Sequence, residues 1–167
     1  MINIVLYEPE IPQNTGNIMR TCVATNSVLH LIRPLGFNIN DKTLKRSAVN
    51  YTDKLVFHIY DDYEDFKSKN KGEYYFFTRY GNKTHSSINY KDKENIYLIF
   101  GKESTGIPKE ILKDNINNCI RIPMSDNVRA INLSNSVAIG IYEVLRQIDY
   151  EGLYFEEPHK GKDYLIK

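Results

Sequence analysis

The chemistry this chain can offer is concentrated in three short segments. In Arg129-Ala-Ile-Asn-Leu-Ser-Asn-Ser-Val-Ala-Ile-Gly-Ile-Tyr-Glu143, small polar residues run straight into an apolar-periodic helix. A helix start leaves backbone amides without intrahelical partners, so such a loop presents donors to whatever binds there. Asn132 or Ser134 would equally serve as a plain N-cap. In Ile99-Phe-Gly-Lys-Glu-Ser-Thr-Gly-Ile-Pro108, an apolar run ends in a loop with glycines at 101 and 106. Glycine there either lets backbone approach a ligand or simply makes a turn. The loop is neither a dinucleotide fingerprint nor a Walker loop, because Lys102 follows Gly101 directly. In Tyr7-Glu-Pro-Glu-Ile-Pro-Gln-Asn-Thr-Gly-Asn-Ile-Met-Arg-Thr-Cys22, Asn14 or Thr15 is the expected cap of a helix turning Ile18, Cys22 and Val23 inward. That start puts Arg20 in about the first turn. A cation near the positive end of a helix calls for an anionic partner, unless Arg20 lies on a solvated face.

The elements that must position these groups alternate along the chain. Apolar runs predict strands near 2 to 7, 28 to 33, 55 to 60, 73 to 79, 95 to 100 and 119 to 123, the last stopped by Pro123. Helical periodicity predicts helices near 15 to 25, 41 to 47, 61 to 69, 108 to 115 and 132 to 149. The alternation indicates an α/β domain whose mostly parallel sheet carries helices on both faces. Ligands of such sheets gather at the carboxyl ends of strands, here the loops after Phe77, Phe100 and Pro123. The domain is expected over residues 1 to 151, with a loop-like tail over 152 to 167.

Composition narrows the classes without choosing one. The chain has 167 residues, enough for one domain with its own core, and its net charge of +1 gives no general reason to expect nucleic acid. A local patch is the exception. From position 20 to 54, Arg20, Arg33, Lys42, Lys45, Arg46 and Lys54 face only Asp41 and Asp53, leaving +4. Such a run is either an RNA-facing surface or an ordinary solvated one. Asp61-Asp-Tyr-Glu-Asp65 reads as the acidic start of a surface helix. Cys22 and Cys119 read as buried thiols in a reducing compartment, and a disulfide is not expected. His30, His58, His85 and His159 have no partners at ligand spacing, so no metal is expected. The chain shows no leader-like start and no apolar run of membrane length, so a cytoplasmic protein without a membrane partner is expected.

Taken in order, the segments resemble the SPOUT superfamily of RNA methyltransferases, and within it the small TrmL (YibK-type) members, which 2'-O-methylate the wobble nucleotide of certain tRNAs. The residues that carry the resemblance are Glu8-Pro-Glu-Ile-Pro with Asn14-Thr-Gly-Asn-Ile-Met-Arg20, Pro34-Leu-Gly-Phe37, Asp41-Lys-Thr-Leu-Lys-Arg46, Gly101-Lys-Glu-Ser-Thr-Gly-Ile-Pro108, Ile120-Arg-Ile-Pro-Met124, and Asn132-Leu-Ser-Asn135 with Tyr142-Glu143. They span residues 2 to about 148. The tail from Gly152 is not covered.

The resemblance implies a C-terminal trefoil knot, a homodimer and S-adenosylmethionine (SAM) as methyl donor. It places SAM against Phe77, Thr78, Gly101, Glu103, Gly106, Ile122, Met124, Ala130, Leu133 and Ser134, largely through backbone. Glu103 would either offset the sulfonium charge or stabilise its turn. Arg20, Asn132 and Ser134 are the implied catalytic groups, and Arg20, Lys42, Lys45 and Arg46 the implied contacts to the tRNA anticodon stem-loop. A guanidinium is not deprotonated in a protein, so Arg20 would hold phosphate and steady a developing alkoxide while Asn132 or Ser134 orients the hydroxyl.

The chain departs from the pattern at Ala130, where relatives often have Ser, at Ala48 and Asn50, where Gly and Asp are common, and at Gln13, where Pro is common. A catalytically silent RNA-binding or assembly protein on the same fold is the rival reading, and retention of Arg20, Asn132 and Ser134 together argues against it. A Rossmann-type nucleotide enzyme lacks its glycine fingerprint here.

Overall fold

The computed structural model describes residues 1–48 and 52–167, so Asn50 lies outside the described residues. Strands β1 (Ile2–Tyr7), β2 (Val28–Ile32), β3 (Phe57–Tyr60), β4 (Glu73–Phe77), β5 (Lys83–Thr84), β6 (Ile96–Phe100) and β7 (Cys119–Arg121) form one sheet in the order β3-β2-β1-β6-β4-β7-β5. Every pairing is parallel. β1 and β6 are near-continuous apolar runs because they lie in the middle, where helices cover both faces.

Side-chain alternation divides the core. Ile2, Ile4 and Leu6 of β1 join one cluster with Ile18, Leu44, Val137, Ile141 and Val144. That face carries α1 (Pro12–Ala24), α2 (Lys42–Ala48) and α5 (Leu133–Gln147). Val5 points the other way, with Phe66, Phe76, Tyr97 and Ile99, under α3 (Tyr63–Lys69) and α4 (Lys109–Asp114). On that second face His30 is buried between Asn3 Oδ1, 3.0 Å from its Nε2, and the Tyr60 hydroxyl, 2.8 Å from its Nδ1. Asn3 turns its amide nitrogen to the Ile96 carbonyl, so its oxygen must accept from Nε2. In the neutral ring Nδ1 then accepts from the Tyr60 hydroxyl, which also lies 3.4 Å from Asn70 Oδ1. Burial, helped by the neighbouring His58, pulls the His30 pKa down to about 4.

The chain order explains where a ligand can enter. It builds β1, β2 and β3 outward to one edge, then crosses and builds β4 and β5 on the other side. β6 is later inserted between β1 and β4, and β7 between β4 and β5. Strand order thus reverses at β1, and crevices open at such a reversal, outside the carboxyl ends of the strands.

Several expected boundaries shift. α1 begins at Pro12, not after Asn14, because proline is suited to the first helical position, where no amide donor is needed. β4 stops at Phe77 and β7 at Arg121, where the pairings between them and with β5 run out. β5 was not expected, being only two residues long. Asp62 caps α3 by accepting from the Asp65 amide at 2.7 Å, as the acidic start predicts. The tail from Gly152 has turns but no helix or strand, and Tyr154, Phe155, Leu165 and Ile166 in it are exposed. Among the described residues no helix is long and apolar enough to cross a membrane.

Candidate active site

Three loops enclose a cavity of about 710 Å³ at the carboxyl ends of β4, β6 and β7. Phe77 to Tyr80 form one wall, Gly101 to Ile107 a second, and Ile122, Met124 and Arg129 to Leu133 a third, with Ile11, just before α1, and Asn14 within it closing it. Beneath it Phe77 stacks on Phe100 with centroids 4.4 Å apart. Gly140 of α5 fits against both rings, since a Cβ there would come within 2.9 Å of Phe77 Cζ.

The glycine loop closes on itself. Lys102 and Gly106 form an antiparallel bridge, the Gly106 amide donating to the Lys102 carbonyl at 2.9 Å. A Cβ on Gly101 would lie 2.2 Å from the Gly106 carbonyl carbon, so Gly101 is required by the loop's own return limb. Gly106 has open space around it, and its φ of +73° is the reason for glycine there.

This loop is laced to the segment before α1. Lys102 pairs with Glu8 at 2.8 Å, a bond that raises the lysine's pKa above its ordinary value. Ser104 donates through hydroxyl and amide to Glu10, at 2.6 and 3.1 Å. Glu103 accepts from the Glu10 amide at 2.8 Å, the Ile11 amide at 3.1 Å and Asn14 Nδ2 at 3.3 Å. Ile11 is the N-cap of α1 and has no capping side chain, so Glu103 caps this helix from 92 residues away. Of the two roles considered for Glu103, holding local structure is the one its hydrogen bonds display.

Asn14 carries the connection to the third loop. Its Oδ1 accepts from Asn132 Nδ2 at 3.0 Å. Asn132 Oδ1 in turn accepts from the Ser134 hydroxyl at 2.5 Å and from the Asn135 amide at 3.2 Å, the latter being the N-cap bond of α5. Asn132 is therefore both the helix cap and a link in the chain Glu103, Asn14, Asn132, Ser134. Having spent its proton on Asn132, the Ser134 oxygen is left with lone pairs to accept from a ligand.

Of the side chains assigned to the cofactor, Phe77, Thr78, Gly101, Glu103, Gly106, Ile122, Met124, Ala130 and Leu133 line the cavity. Ser134 does not, standing behind Asn132 at the edge, while Ser136 does line it. Arg20 is displaced from expectation. Because α1 starts at Pro12, Arg20 lies in the third turn, exposed, and outside the cavity of its own chain. The helix dipole does not call for an anion at Arg20, since its effect fades beyond the first turn. Asn14 is buried rather than a cap.

Lys42, Lys45 and Arg46 share the exposed side of α2, while Leu44 and Ala48 enter the core. α2 crosses α1 at Gly16, where a Cβ would meet Ser47 Cβ at 2.4 Å, so the basic side chains flank the helix that bears Arg20. Arg33 of the basic run is spoken for by Asp61 at 3.4 Å. Arg79 and Arg129 of the expected loops also line the cavity, together with Tyr80 and Arg121, which the sequence did not point to as binding residues. Among the described residues no group of three or more His, Cys, Asp or Glu could hold a metal ion. Both cysteines are buried and unpaired, and burial pushes the Cys22 thiol up to about 12.

Known proteins are similar to this chain in sequence and in fold. The chain is 49% identical over 154 residues to a Geobacillus stearothermophilus protein assigned as a tRNA (cytidine(34)-2'-O)-methyltransferase, covering 91% of this chain and 98% of that one. It is 43% identical to the Escherichia coli tRNA (cytidine(34)-2'-O)-methyltransferase, covering 91% and 97%. A structure solved to explain 2-OH methylation of C/U34 on tRNA superposes with a TM-score of 0.84 at 36% identity, covering 89% of this chain and 97% of that one. The model of the SpoU rRNA methylase family matches residues 1–142. The chain belongs to that family of methyltransferases.

Proposed function

We propose that the protein is an S-adenosylmethionine-dependent tRNA methyltransferase that 2'-O-methylates the ribose at wobble position 34, cytidine or modified uridine, working as a cytoplasmic homodimer. The observation that carries this reading is the hydrogen-bonded chain from Glu103 through Asn14 and Asn132 to Ser134, which sets an oriented hydroxyl beside a glycine-lined cavity. The cavity suits the donor in size, lying within the range of small-molecule sites. Its walls suit it in kind, because Gly106 leaves open space where a side chain would otherwise stand. When bound, SAM supplies a methyl group made electrophilic by the adjacent sulfonium.

Phe77, Thr78, Gly101, Gly106, Ile122, Met124, Ala130 and Leu133 would hold the donor, mostly by backbone. Ser134, with its proton committed to Asn132, accepts from the ribose 2'-hydroxyl and aims the oxygen's lone pair. Fixing the reacting atoms in line is where most of the acceleration arises. Arg20 lies outside its own chain's cavity, which supports a site completed by a second copy whose Arg20 reaches across. There its guanidinium holds the neighbouring phosphate and steadies the developing alkoxide, the proton passing to water. Ile139 and Tyr142 are exposed apolar residues on α5 and suit that interface. Lys42, Lys45 and Arg46 would meet the anticodon stem. The methyltransferase unit would end near residue 151, its late-inserted β6 and β7 belonging to the knotted part.

The test is transfer of labelled methyl from SAM to tRNA, mapped by nuclease digestion and mass spectrometry, together with nucleoside analysis of tRNA from cells lacking the protein. The expected product is a 2'-O-methylnucleoside at position 34. A methyl on a base, or none on any tRNA, overturns the reading.

A further inference from the structure

Tyr80 is an aromatic residue left open to solvent on the turn that follows β4. It is 76% exposed, yet it lines the mouth of the cavity. A single exposed tyrosine needs no explanation by itself. Three further observations set this one apart.

The turn that carries it is pinned. The Thr78 amide donates to the Ile120 carbonyl at 2.9 Å, the Gly81 amide to the Thr78 carbonyl at 3.1 Å, and the Tyr80 amide to the Thr78 hydroxyl at 3.2 Å. Arg121 Nη1 donates to the Arg79 carbonyl at 2.6 Å. Gly81 is pressed so closely on β7 that a Cβ would lie 2.5 Å from the Ile120 carbonyl carbon. The backbone under the ring is therefore fixed, even though the ring is bare.

The ring is also paired with a cation, for the Arg79 guanidinium carbon stands 5.3 Å from its centroid. Arg121 and Arg129 line the same cavity. An exposed ring on a fixed backbone, with one guanidinium against it and two more lining the same cavity, combines a stacking surface with phosphate-seeking charge. Unpaired nucleobases are recognised by that combination.

Resting on the proposed function, we infer that Tyr80 is a stacking platform for an unpaired base of the RNA, the one carried by the methylated ribose or its neighbour, with Arg79 reaching the adjoining phosphate. A hydroxyl cannot enter the cavity without its base coming to rest at the rim, and Tyr80 is the aromatic ring exposed there. Stacking accepts any base face, so the platform would contribute affinity and placement without choosing between cytidine and uridine.

The experiment uses an anticodon stem-loop carrying 2-aminopurine at or beside position 34, bound to the protein saturated with S-adenosylhomocysteine. The wild type should quench the probe. Tyr80→Ala should lose the quench and bind the RNA about tenfold more weakly, within the range for removal of one stacking ring. Tyr80→Phe should restore both. SAM affinity by calorimetry should be the same in all three. The slope of log affinity against log salt should be untouched in Tyr80→Ala but shallower by about one in Arg79→Ala, which loses a phosphate contact. Normal quenching and affinity in Tyr80→Ala overturn the platform. So does a tenfold loss of SAM affinity, which would put the ring on the cofactor's adenine. A wild type that methylates no tRNA defeats the proposed function itself, whereas an active wild type beside an unaffected Tyr80→Ala defeats this inference alone.

Discussion

Adding one methyl group at Gly101 should separate the glycine loop's two limbs. In Gly101→Ala the new Cβ would lie 2.2 Å from the Gly106 carbonyl carbon, 2.3 Å from the Ile107 nitrogen and 2.4 Å from Gly106 Cα, where ordinary contact begins near 3.4 Å. All three neighbours are backbone, so no side chain can swing away, and the limbs must part by about 1 Å. Parting them strains or breaks the 2.9 Å bond from the Gly106 amide to the Lys102 carbonyl and drags Glu103 from the start of α1. Overpacking of this kind costs about 1–3 kcal/mol, and a lost hydrogen bond about 1 kcal/mol more. Taking about 3 kcal/mol, and a bound state that needs the closed loop, SAM affinity should fall about 100-fold. Gly106→Ala is the matched control. Nothing lies within 4 Å of its Cβ, so only the φ of +73° opposes it, at about 1–2 kcal/mol or roughly tenfold. Calorimetric titration of SAM, with thermal melting to confirm folding, measures both variants. If Gly101→Ala binds within about twofold of wild type, or Gly106→Ala is the more damaged, steric closure is not why this loop carries glycine.

Three further outcomes are expected. Arg20→Ala should fold and bind SAM nearly as wild type but lose single-turnover methyl transfer to tRNA by at least about 100-fold, with Arg20→Lys recovering part of it. A near-normal rate at saturating protein with only tRNA affinity reduced would make Arg20 a docking residue. Ile139→Asp buries an unpaired carboxylate if α5 lies in the dimer interface and should shift the protein to monomer by at least about 3 kcal/mol; light scattering that still finds a dimer on dilution places the interface elsewhere. His30 is held neutral, its pKa near 4, while in the unfolded chain it titrates at 6.5. As pH falls through 6.5 the unfolded state binds the proton and the folded state does not. Stability is therefore full above that pH and lost down to about pH 4, by up to about 3 kcal/mol. Urea unfolding across this window should show a shallower pH dependence in His30→Gln, and equal slopes would remove His30 as the cause.

Local pattern determined the secondary structure because burial leaves a period in the sequence. The apolar runs of β1 and β6 and the i, i+4 spacing of Val137, Ile141 and Leu145 in α5 could be read without coordinates. So could the three loops, since glycine, proline and small polar residues mark where strands end. Strand order is another matter. Ile2 pairs with Ile96, and nothing near either residue records a partner so far along the chain. The same holds for the site's polar chain. Asn14 looked like a cap for its own helix, yet it is buried and joins Glu103 to Asn132, while the cap of α1 comes from Glu103. The helix expected after Asn14 starts instead at Pro12, and that difference of about one turn moved Arg20 from the helix end to its third turn, away from its own cavity. By itself the sequence determined which groups are available, since residue type and spacing are local properties. Only the tertiary structure decided which of them meet, because hydrogen-bond partners and steric limits depend on distances between segments that chain proximity does not encode.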